Sequence, residues 1–288
     1  MTASAMANPG MSVWAALIER AALKPGETVL VNGATGSAGR LAVQLAKYLG
    51  AGKVIATGRN ESELQELLSL GADAVIPFTL GAMHPSAEKN YEQALREVFA
   101  HGVNVVVDYL WGESARTVII AIAKTVEDAT PVRFVHVGGA SGEEEIALPG
   151  AALRSSAIQL MGSGVKSVPL PKLLGAIKSV FEVAGSAKLQ IATQTMPLAE
   201  IEVAWEKPGK PRVVVTIEWA SASATDDPAK GGSHHGLSAT VDVPDIAPLD
   251  DLVLLIGNGA EALQRSGPVR VWSESLYRLD GIRRRWEQ

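Results

Sequence analysis

The sequence contains no cysteine, which excludes disulfide bonds, thiolate nucleophiles and zinc sites built from cysteine. It also has no long apolar run, because the longest runs, Val13 to Ile18 and Val118 to Ala123, fall far short of the roughly 18 residues of a membrane-spanning helix. The first ten residues lack the basic and apolar segments of a secretion signal. We therefore expect a cytoplasmic protein that does not enter the membrane.

Positive charge is not in excess either. The chain has 26 Lys and Arg against 31 Asp and Glu, which gives a net charge of −5. The short basic run 283–285 lies between Asp280 and Glu287, and we interpret it as a solvated helix face. Without a dense basic stripe, the sequence does not predict nucleic-acid binding. The hydrophobic share of 47% is ordinary for a globular protein with a buried core.

Strand-like and helix-like patterns alternate through the first 219 residues. Short apolar runs predict strands at 28–31, 53–57, 73–76, 104–108, 133–137, 157–163 and 212–219. Helical periodicity predicts helices at 11–23, 38–49, 61–70, 88–100, 113–126, 171–184 and 198–206, and we interpret Pro9 and Gly10 as a start signal for the first helix. This alternation predicts an α/β fold, a doubly wound parallel (Rossmann) sheet covered by helices on both faces.

Composition divides the chain into three parts. Residues 1–219 are predicted to form a Rossmann dinucleotide-binding domain with an N-terminal helix. Residues 220–236 are small, polar and turn-rich, which is typical of a linker. Residues 237–288 are predicted to form a small C-terminal α/β extension of unknown fold, too short to be stable without a packing partner.

A glycine-rich turn lies directly between the first predicted strand and the helix that follows it. Three glycines alternate there with small residues, and a dinucleotide site needs glycine for the tight turn, for close approach to the pyrophosphate and for helix packing. The N-terminus of the helix supplies N–H groups to the phosphates. The candidate residues are Gly33, Thr35, Gly36, Ser37, Ala38 and Gly39. A tight turn in another doubly wound protein is the alternative interpretation.

The end of the second predicted strand bears on the choice between NAD and NADP. An NAD site usually has Asp or Glu there, whereas this chain has Gly58, Arg59 and Asn60. An arginine can hold a 2′-phosphate as a charged fork, so we predict NADP(H) as the cofactor. The alternative is that Arg59 is an ordinary solvated arginine.

Polar residues and glycines also follow the later strands. Ligands of doubly wound sheets bind outside the carboxyl ends of the strands. The candidates at these ends are Asp108, Gly138, Gly139, Ala140, Gly162 and Gly164. Loop glycines without a ligand are the alternative interpretation.

Other enzyme classes lack their motifs in this chain. None of the four tyrosines has a lysine four residues later, no GxSxG elbow is present, and Gly39 is followed by Arg40 and Leu41 rather than by the GK[ST] of a P-loop. The histidines are scattered without ligand spacing, so no metal site is predicted.

Four segments together resemble the zinc-independent medium-chain dehydrogenase/reductase superfamily, in its quinone oxidoreductase-like branch. They are LKPGETVLVNGATGSAG (23–39), GADAVI (71–76), VVVDYLWG (105–112) and PLAEIEVAWEKPGKPRVVVTI (197–217). The resemblance covers roughly residues 8 to 217. The glycine-rich segment is also similar to atypical short-chain, NmrA-like proteins, but those begin with this strand and have no helix before it.

The resemblance implies that the glycine turn and the Arg59 region hold NADP(H), with 138–142 and 162–164 beside the nicotinamide. It also implies a homodimer through the Rossmann domain, with 157–163 near the shared edge. The family carries a GroES-like barrel before this segment, and the match here begins at about residue 8, so no catalytic residue is assigned.

The expected function is that of an NADP(H)-binding oxidoreductase-like protein, which if active transfers hydride from NADPH to a small quinone, enone or carbonyl. The alternative is a catalytically silent nucleotide-binding or protein-interaction module from a truncated reductase.

Overall fold

An open parallel sheet forms the centre of the protein in a computed structural model that describes residues 2–80, 85–206 and 211–217. Its six strands are β1 (Thr28–Asn32), β2 (Lys53–Gly58), β3 (Ala74–Pro77), β4 (Val105–Asp108), β5 (Val132–His136) and β6 (Ile158–Gly162). The spatial order is β3–β2–β1–β4–β5–β6, and every neighbouring pair is parallel. The strand order reverses between β1 and β4, as in doubly wound sheets that bind dinucleotides at this point.

Helices connect the strands and cover both faces of the sheet. They are α1 (Thr2–Trp14), α2 (Ser37–Tyr48), α3 (Glu61–Ser69), α4 (Pro85–Phe99), α5 (Gly112–Thr125), α6 (Gly150–Arg154), α7 (Leu170–Val183) and α8 (Ile201–Glu206). A π-helical turn, Ala15–Arg20, continues α1, and a 3₁₀ turn, Leu198–Glu200, leads into α8. Two further strands, β7 (Thr193–Pro197) and β8 (Arg212–Thr216), pair in parallel with each other.

The side chains of each strand alternate between two buried layers. On one face Leu30, Val106 and Phe134 pack against α4 and α5 and are fully buried. On the other face Val31 and Val107 pack against α1, α2 and α7. Because both faces are covered, the strands are continuous apolar runs, which is why the sequence predicted them to within one or two residues.

The predicted start of the first helix is wrong. α1 begins at Thr2 and passes through Pro9 and Gly10 instead of starting after them. Glycine at position 10 allows α7 to pack closely against α1, because a Cβ on Gly10 would lie 2.7 Å from Cγ1 of Val180. The residues buried in α1 recur at helical spacing through Met6, Pro9 and Val13, so burial along this face holds the helix despite the internal proline.

Two elements were not predicted from the sequence, namely α6 and β7. β8 is present where predicted and ends at Thr216. The predicted linker 220–236 and C-terminal extension 237–288 lie outside the described residues, and the three-part division therefore stays a prediction. Among the helices that the structure describes, none has the length and apolar character needed to cross a membrane.

Candidate functional site

The turn after β1 is tight because Gly33 has a positive φ of +85°. A Cβ on Gly33 would lie 2.8 Å from Cγ of Leu110, so a larger residue fits neither the backbone conformation nor the space. The N–H groups of Gly33 and Ala34 donate to the carbonyl of Thr57 at 3.2 and 2.9 Å. The turn is therefore fixed to the end of β2.

The other two glycines of the turn have different surroundings. A Cβ on Gly39 would lie 2.4 Å from the carbonyl oxygen of Gly33 and 2.6 Å from Cα of Ala34, so glycine there lets α2 pack directly on the turn. Gly36 is the N-cap of α2, and the nearest atom to a Cβ on it is 3.6 Å away. The cap has no side-chain hydrogen bond, so Gly36 opens the first turn of α2, at Ser37, Ala38 and Gly39, towards the edge of the sheet.

The end of β2 lies beside this turn. A Cβ on Gly58 would lie 3.0 Å from Cγ2 of Thr35, which places Thr35 over the end of the strand. Asn60 caps α3, since its side-chain oxygen accepts the N–H of Glu63 at 3.2 Å and the hydroxyl of Ser62 at 2.8 Å. Arg59 is exposed, and within the described ranges it forms no ion pair with a carboxylate.

A row of polar side chains crosses the carboxyl ends of four strands. Thr57 on β2, Asn32 on β1, Asp108 on β4 and His136 on β5 are register partners and share one face of the sheet. The hydroxyl of Thr57 donates to Oδ1 of Asn32 at 2.7 Å, and Nδ2 of Asn32 donates to Oδ1 of Asp108 at 2.8 Å. Oδ2 of Asp108 lies 2.9 Å from Nδ1 of His136. We call these four residues the polar row.

Helices on the same face complete the hydrogen bonds of Asn32. The hydroxyl of Tyr91 on α4 donates to Oδ1 of Asn32 at 3.3 Å, and Nδ2 of Asn32 also donates to Oγ of Ser114 on α5 at 3.1 Å. Burial raises the pKa of Tyr91 far above its usual range, so its hydroxyl stays protonated and able to donate. Asn32 thereby uses both its oxygen and its nitrogen in the interior.

Asp108 belongs to the predicted cofactor-binding set, and its carboxylate is fully buried. Besides Asn32 and His136, it accepts the N–H groups of Leu110 and Trp111 at 3.2 and 3.1 Å. These bonds shape the loop that follows β4. Direct contact between Asp108 and a cofactor stays a prediction, and the bonds observed act on the loop.

The loops after β4 and β5 are joined by backbone hydrogen bonds. The N–H of Gly138 donates to the carbonyl of Asp108 at 3.3 Å, and the N–H of Ala140 donates to the carbonyl of Tyr109 at 2.9 Å. Gly138, Gly139 and Ala140 therefore lie at the same edge as the glycine turn. No atom of the described residues lies within 4 Å of a Cβ built on Gly139, so these residues leave open space in front of the loop.

The end of β6 is connected to the end of α1. The carbonyl of Gly162 accepts Nε of Arg20 at 2.7 Å, and the N–H of Gly164 donates to Oγ of Ser167 at 2.7 Å. A Cβ on either glycine would meet no atom of the described ranges within 4 Å. Packing does not require glycine at these two positions, unlike at Gly33 and Gly39.

Trp111 and Glu143 organise the start of α5. Trp111 has a φ of 61°, and its indole N–H donates to the carbonyl of Glu144 at 3.2 Å. The carboxylate of Glu143 accepts the N–H of Glu113 at 3.2 Å and so satisfies the first turn of the helix. The Trp111 ring lies 4.6 Å from the ring of His136. The loop after β5 thus folds over the end of the polar row.

The sequence analysis found the glycine turn and Asp108, but not Thr57, Asn32 and His136, the other three residues of the polar row. Asn32, Asp108 and His136 are each the last residue of a buried strand, and a polar residue that ends an apolar run was the available signal. Within residues 2–80, 85–206 and 211–217, no group of three or more His, Asp or Glu side chains is close enough together to hold a metal ion.

An open sheet of this strand order, with a glycine turn leading into the helix after β1, defines a Rossmann-type dinucleotide-binding domain. The family model described as "Zinc-binding dehydrogenase" matches residues 38–182, just over half of the chain. The chain belongs to this medium-chain dehydrogenase/reductase family, in the quinone oxidoreductase-like branch that the sequence resembles.

Two curated relatives are reductases by name. The "Probable NADPH-dependent quinone reductase tdiC" of Emericella nidulans is 31% identical over 209 residues, which cover 70% of this chain and 57% of the relative. Prostaglandin reductase 1 of Rattus norvegicus is 35% identical over 112 residues, which cover 39% of this chain and 32% of the relative.

Solved structures agree on the fold. The crystal structure of AibC is 27% identical, with a TM-score of 0.50, and the match covers 67% of this chain and 49% of that one. The crystal structure of 2-haloacrylate reductase is 20% identical, with a TM-score of 0.57, and the match covers 70% of this chain and 60% of that one. The chain thus spans less than two thirds of the length of the relatives it matches.

Proposed function

We propose that this chain binds NADP(H) and acts as an oxidoreductase that transfers hydride from NADPH to a small quinone, enone or carbonyl. The observation that carries the proposal is the open first turn of α2. Gly33 and Gly39 bring the helix and strand together, while at Gly36 no side chain of the described residues caps the N–H groups of the helix end. Such a helix end suits the pyrophosphate of a dinucleotide through both its N–H groups and its dipole.

The residues at the end of β2 support NADP(H) over NAD(H). A carboxylate at this position would repel the 2′-phosphate, which brings roughly two negative charges. Here Thr35 packs closely against Gly58, Asn60 is engaged in capping α3, and Arg59 is exposed without an ion-pair partner among the described residues. Arg59 would therefore hold the 2′-phosphate through a charge-assisted contact.

The loops that follow β5 and β6 would border the nicotinamide. Gly138, Gly139 and Ala140 are fixed to the loop after β4, and Gly162 and Gly164 follow β6. When bound, the reduced nicotinamide supplies the hydride, and the protein orients it. The class of acceptor follows from the names of the relatives, which are quinone and prostaglandin reductases.

We also propose a homodimer through the edge of the Rossmann sheet at β6. β6 pairs with β5 on one side, and in the part of the chain that the structure describes no strand pairs with its other side. Leu160 on this strand is 42% exposed, and Val165 just beyond it is 71% exposed. An unpaired strand edge beside exposed apolar side chains suits pairing with a second copy.

The test is a binding titration followed by an activity assay. NADPH fluorescence, titrated with the purified chain, should show saturable binding that is tighter than that of NADH. Oxidation of bound NADPH on addition of a small quinone, followed at 340 nm, then tests the reaction. A chain that binds neither cofactor would contradict the proposed function at its first step.

A further inference from the structure

His136 is held by one nitrogen of its ring, and in the part of the chain that the structure describes the other nitrogen forms no hydrogen bond. Its Nδ1 lies 2.9 Å from Oδ2 of Asp108, whose side chain is 0% exposed, whereas the side chain of His136 is 35% exposed. Because Nδ1 is directed at the buried carboxylate, Nε2 is the ring nitrogen that remains for contact with solvent or a bound molecule. The Trp111 ring covers part of the imidazole at a centroid distance of 4.6 Å.

The surroundings of Asp108 fix the tautomer of His136. Among the residues that the structure describes, the other groups that contact this carboxylate are the N–H groups of Asn32, Leu110 and Trp111, which can only donate. The carboxylate therefore acts as the acceptor throughout, and Nδ1 of His136 carries the hydrogen of their bond. Nε2 then forms no hydrogen bond with any residue that the structure describes, so it is the ring nitrogen that can contact a substrate.

His136 is the last residue of β5, and the proposed function places the nicotinamide beside the carboxyl ends of β4, β5 and β6. Its register partners are Asp108 on β4 and Gly162 on β6, and Gly138 follows it by two residues. All three neighbours belong to the predicted cofactor-binding set. His136 is thus a titratable side chain among the residues that border the reacting end of the cofactor.

We propose that His136 is the catalytic acid of the reduction and that Asp108 positions it. This inference rests on the proposed function, because a reductase must deliver a proton as well as a hydride. An enone or quinone that accepts a hydride becomes an enolate or a hydroquinone anion with its negative charge on oxygen. The Nε2–H bond of the imidazolium breaks, an O–H bond forms on that oxygen, and the neutral imidazole regains a proton from water.

The balance of the reaction requires no further reactant. The acceptor gains two electrons and two hydrogens, one as hydride from NADPH and one as a proton through His136, and NADPH becomes NADP⁺. The hydroxyls of Tyr91 and Ser114 also contact Asn32 of the polar row, but these two residues are buried, at 2% and 4% exposure. Within the polar row, His136 is the member that reaches solvent.

The first experiment tests where His136 lies, without requiring turnover. Diethyl pyrocarbonate acylates free imidazole nitrogens, and peptide mass spectrometry separates the modification of His136 from that of His101. His101 is exposed and precedes β4, so it lies near the amino ends of the strands, away from the proposed site, and serves as the control within the chain. Saturating NADP⁺ should slow the modification of His136 at least tenfold and leave His101 unchanged. Saturating 2′,5′-ADP, which lacks the nicotinamide, should protect neither histidine.

The second experiment tests proton delivery. His136→Gln keeps an amide that can donate to Asp108 but cannot supply a proton, and it should lower kcat by on the order of a hundredfold, within the usual range for general acids. The Kd for NADPH should stay within twofold of the unmodified chain. His101→Gln is the matched control and should change neither value. Added imidazole should restore part of the activity of His136→Ala, which a purely structural role would not allow.

The outcomes separate this inference from the proposed function. Failure to bind NADPH would refute the proposed function itself. Binding of NADP⁺ without protection of His136, or equal protection by 2′,5′-ADP, would overturn the placement of His136 while leaving cofactor binding intact. A chain that binds NADPH but reduces no acceptor, or a His136→Gln variant with unchanged kcat, would overturn its role as the acid.

Discussion

Arg59 is the residue on which the choice of cofactor depends. Arg59→Ala should weaken NADPH binding by about ten- to a hundredfold, because it removes a charge-assisted contact of about 1.5–3 kcal/mol with the 2′-phosphate. NADH lacks that phosphate, so its affinity should hardly change. Fluorescence titration of both cofactors checks this, and Arg154→Ala on α6, another exposed arginine, should affect neither. Equal affinities for NADPH and NADH in the unmodified chain would refute the role of Arg59.

Asp73 links the end of α2 to β2 by accepting two hydrogen bonds at one oxygen. Its Oδ2 lies 2.6 Å from Nζ of Lys47 and 2.6 Å from the N–H of Val54. Burial alone would raise the pKa of Asp73, but the bonds from Lys47 and Val54 and the charges of Lys47 and Lys53 outweigh it and hold the pKa below the ordinary 3.8. The folded state is therefore stabilised by the ionised form.

The corresponding prediction concerns the pH dependence of stability. Asp73→Asn should lower the free energy of unfolding at pH 7 by roughly 0.2–1 kcal/mol, the range of solvent-screened ion pairs. The contribution of Asp73 is fully present above the unfolded pKa of about 3.8 and is lost as the pH falls through the lower pKa of the folded state. Urea unfolding at several pH values should show the two proteins converging in acid. A difference that stays constant with pH would contradict the role of the ionised carboxylate.

At the scale of elements, two glycines of the turn before α2 have different predicted roles. Gly39 stabilises the fold, and Gly36 leaves room for the cofactor. Gly39→Ala should lower the free energy of unfolding by about 1–3 kcal/mol, because its Cβ would lie 2.4 Å from a backbone oxygen and α2 would have to move away from the turn. Gly36→Val should cost less, about 0.5–1 kcal/mol for a poorer N-cap residue, since a Cβ there would lie no closer than 3.6 Å to the described atoms around it. It should nevertheless weaken NADPH and NADH alike, because its side chain would stand at the open helix end.

Urea unfolding and cofactor titration of both variants check this pair. The two glycines belong to the same turn, so each variant is the control for the other. If Gly36→Val bound both cofactors normally, the open first turn of α2 would not be the phosphate site. If Gly39→Ala were as stable as the unmodified chain, the contact between α2 and the turn would not depend on glycine.

The elements also show what the sequence alone could predict. Buried parallel strands such as β1 and β4 were placed closely, because continuous apolar runs between turn residues have few other interpretations. The start of α1 was misplaced, because Pro9 and Gly10 are turn residues by local preference and become helical through packing on Val180. Local preference gives way where burial of a whole helix face outweighs it.

The candidate site also has a part that the sequence predicted and a part that it did not. The glycine turn was predicted because its spacing lies within one strand–helix unit, and Gly33 and Gly39 have the steric roles assigned to such glycines. The polar row as a whole was not predicted, because Asn32, Asp108 and His136 are far apart in sequence. Their contacts depend on β4 lying between β1 and β5 and on the register of the three strands. Strand order and register are properties of the assembled sheet.

At the scale of the whole molecule, β6 forms an edge of the main sheet, and its outward side is partly apolar. If two copies pair there, a charge at Leu160, which is 42% exposed, should be buried in the interface without a partner. Leu68 on α3 is 44% exposed and lies beyond the other half of the sheet, so it offers a matched control. Both substitutions remove similar exposed apolar surface from the free chain.

We therefore expect the unmodified chain to be a dimer in light scattering, at twice the monomer mass of 30.2 kDa. Leu160→Lys should raise the dissociation constant at least tenfold, because an unpaired charge excluded from water costs more than the roughly 1.4 kcal/mol that a tenfold change represents. Leu68→Lys should leave the dimer intact. A monomeric unmodified chain, or equal weakening by both substitutions, would contradict pairing at β6. Unchanged NADPH binding by Leu160→Lys would show that the domain stays folded, since the glycine turn lies between β1 and α2, away from this edge.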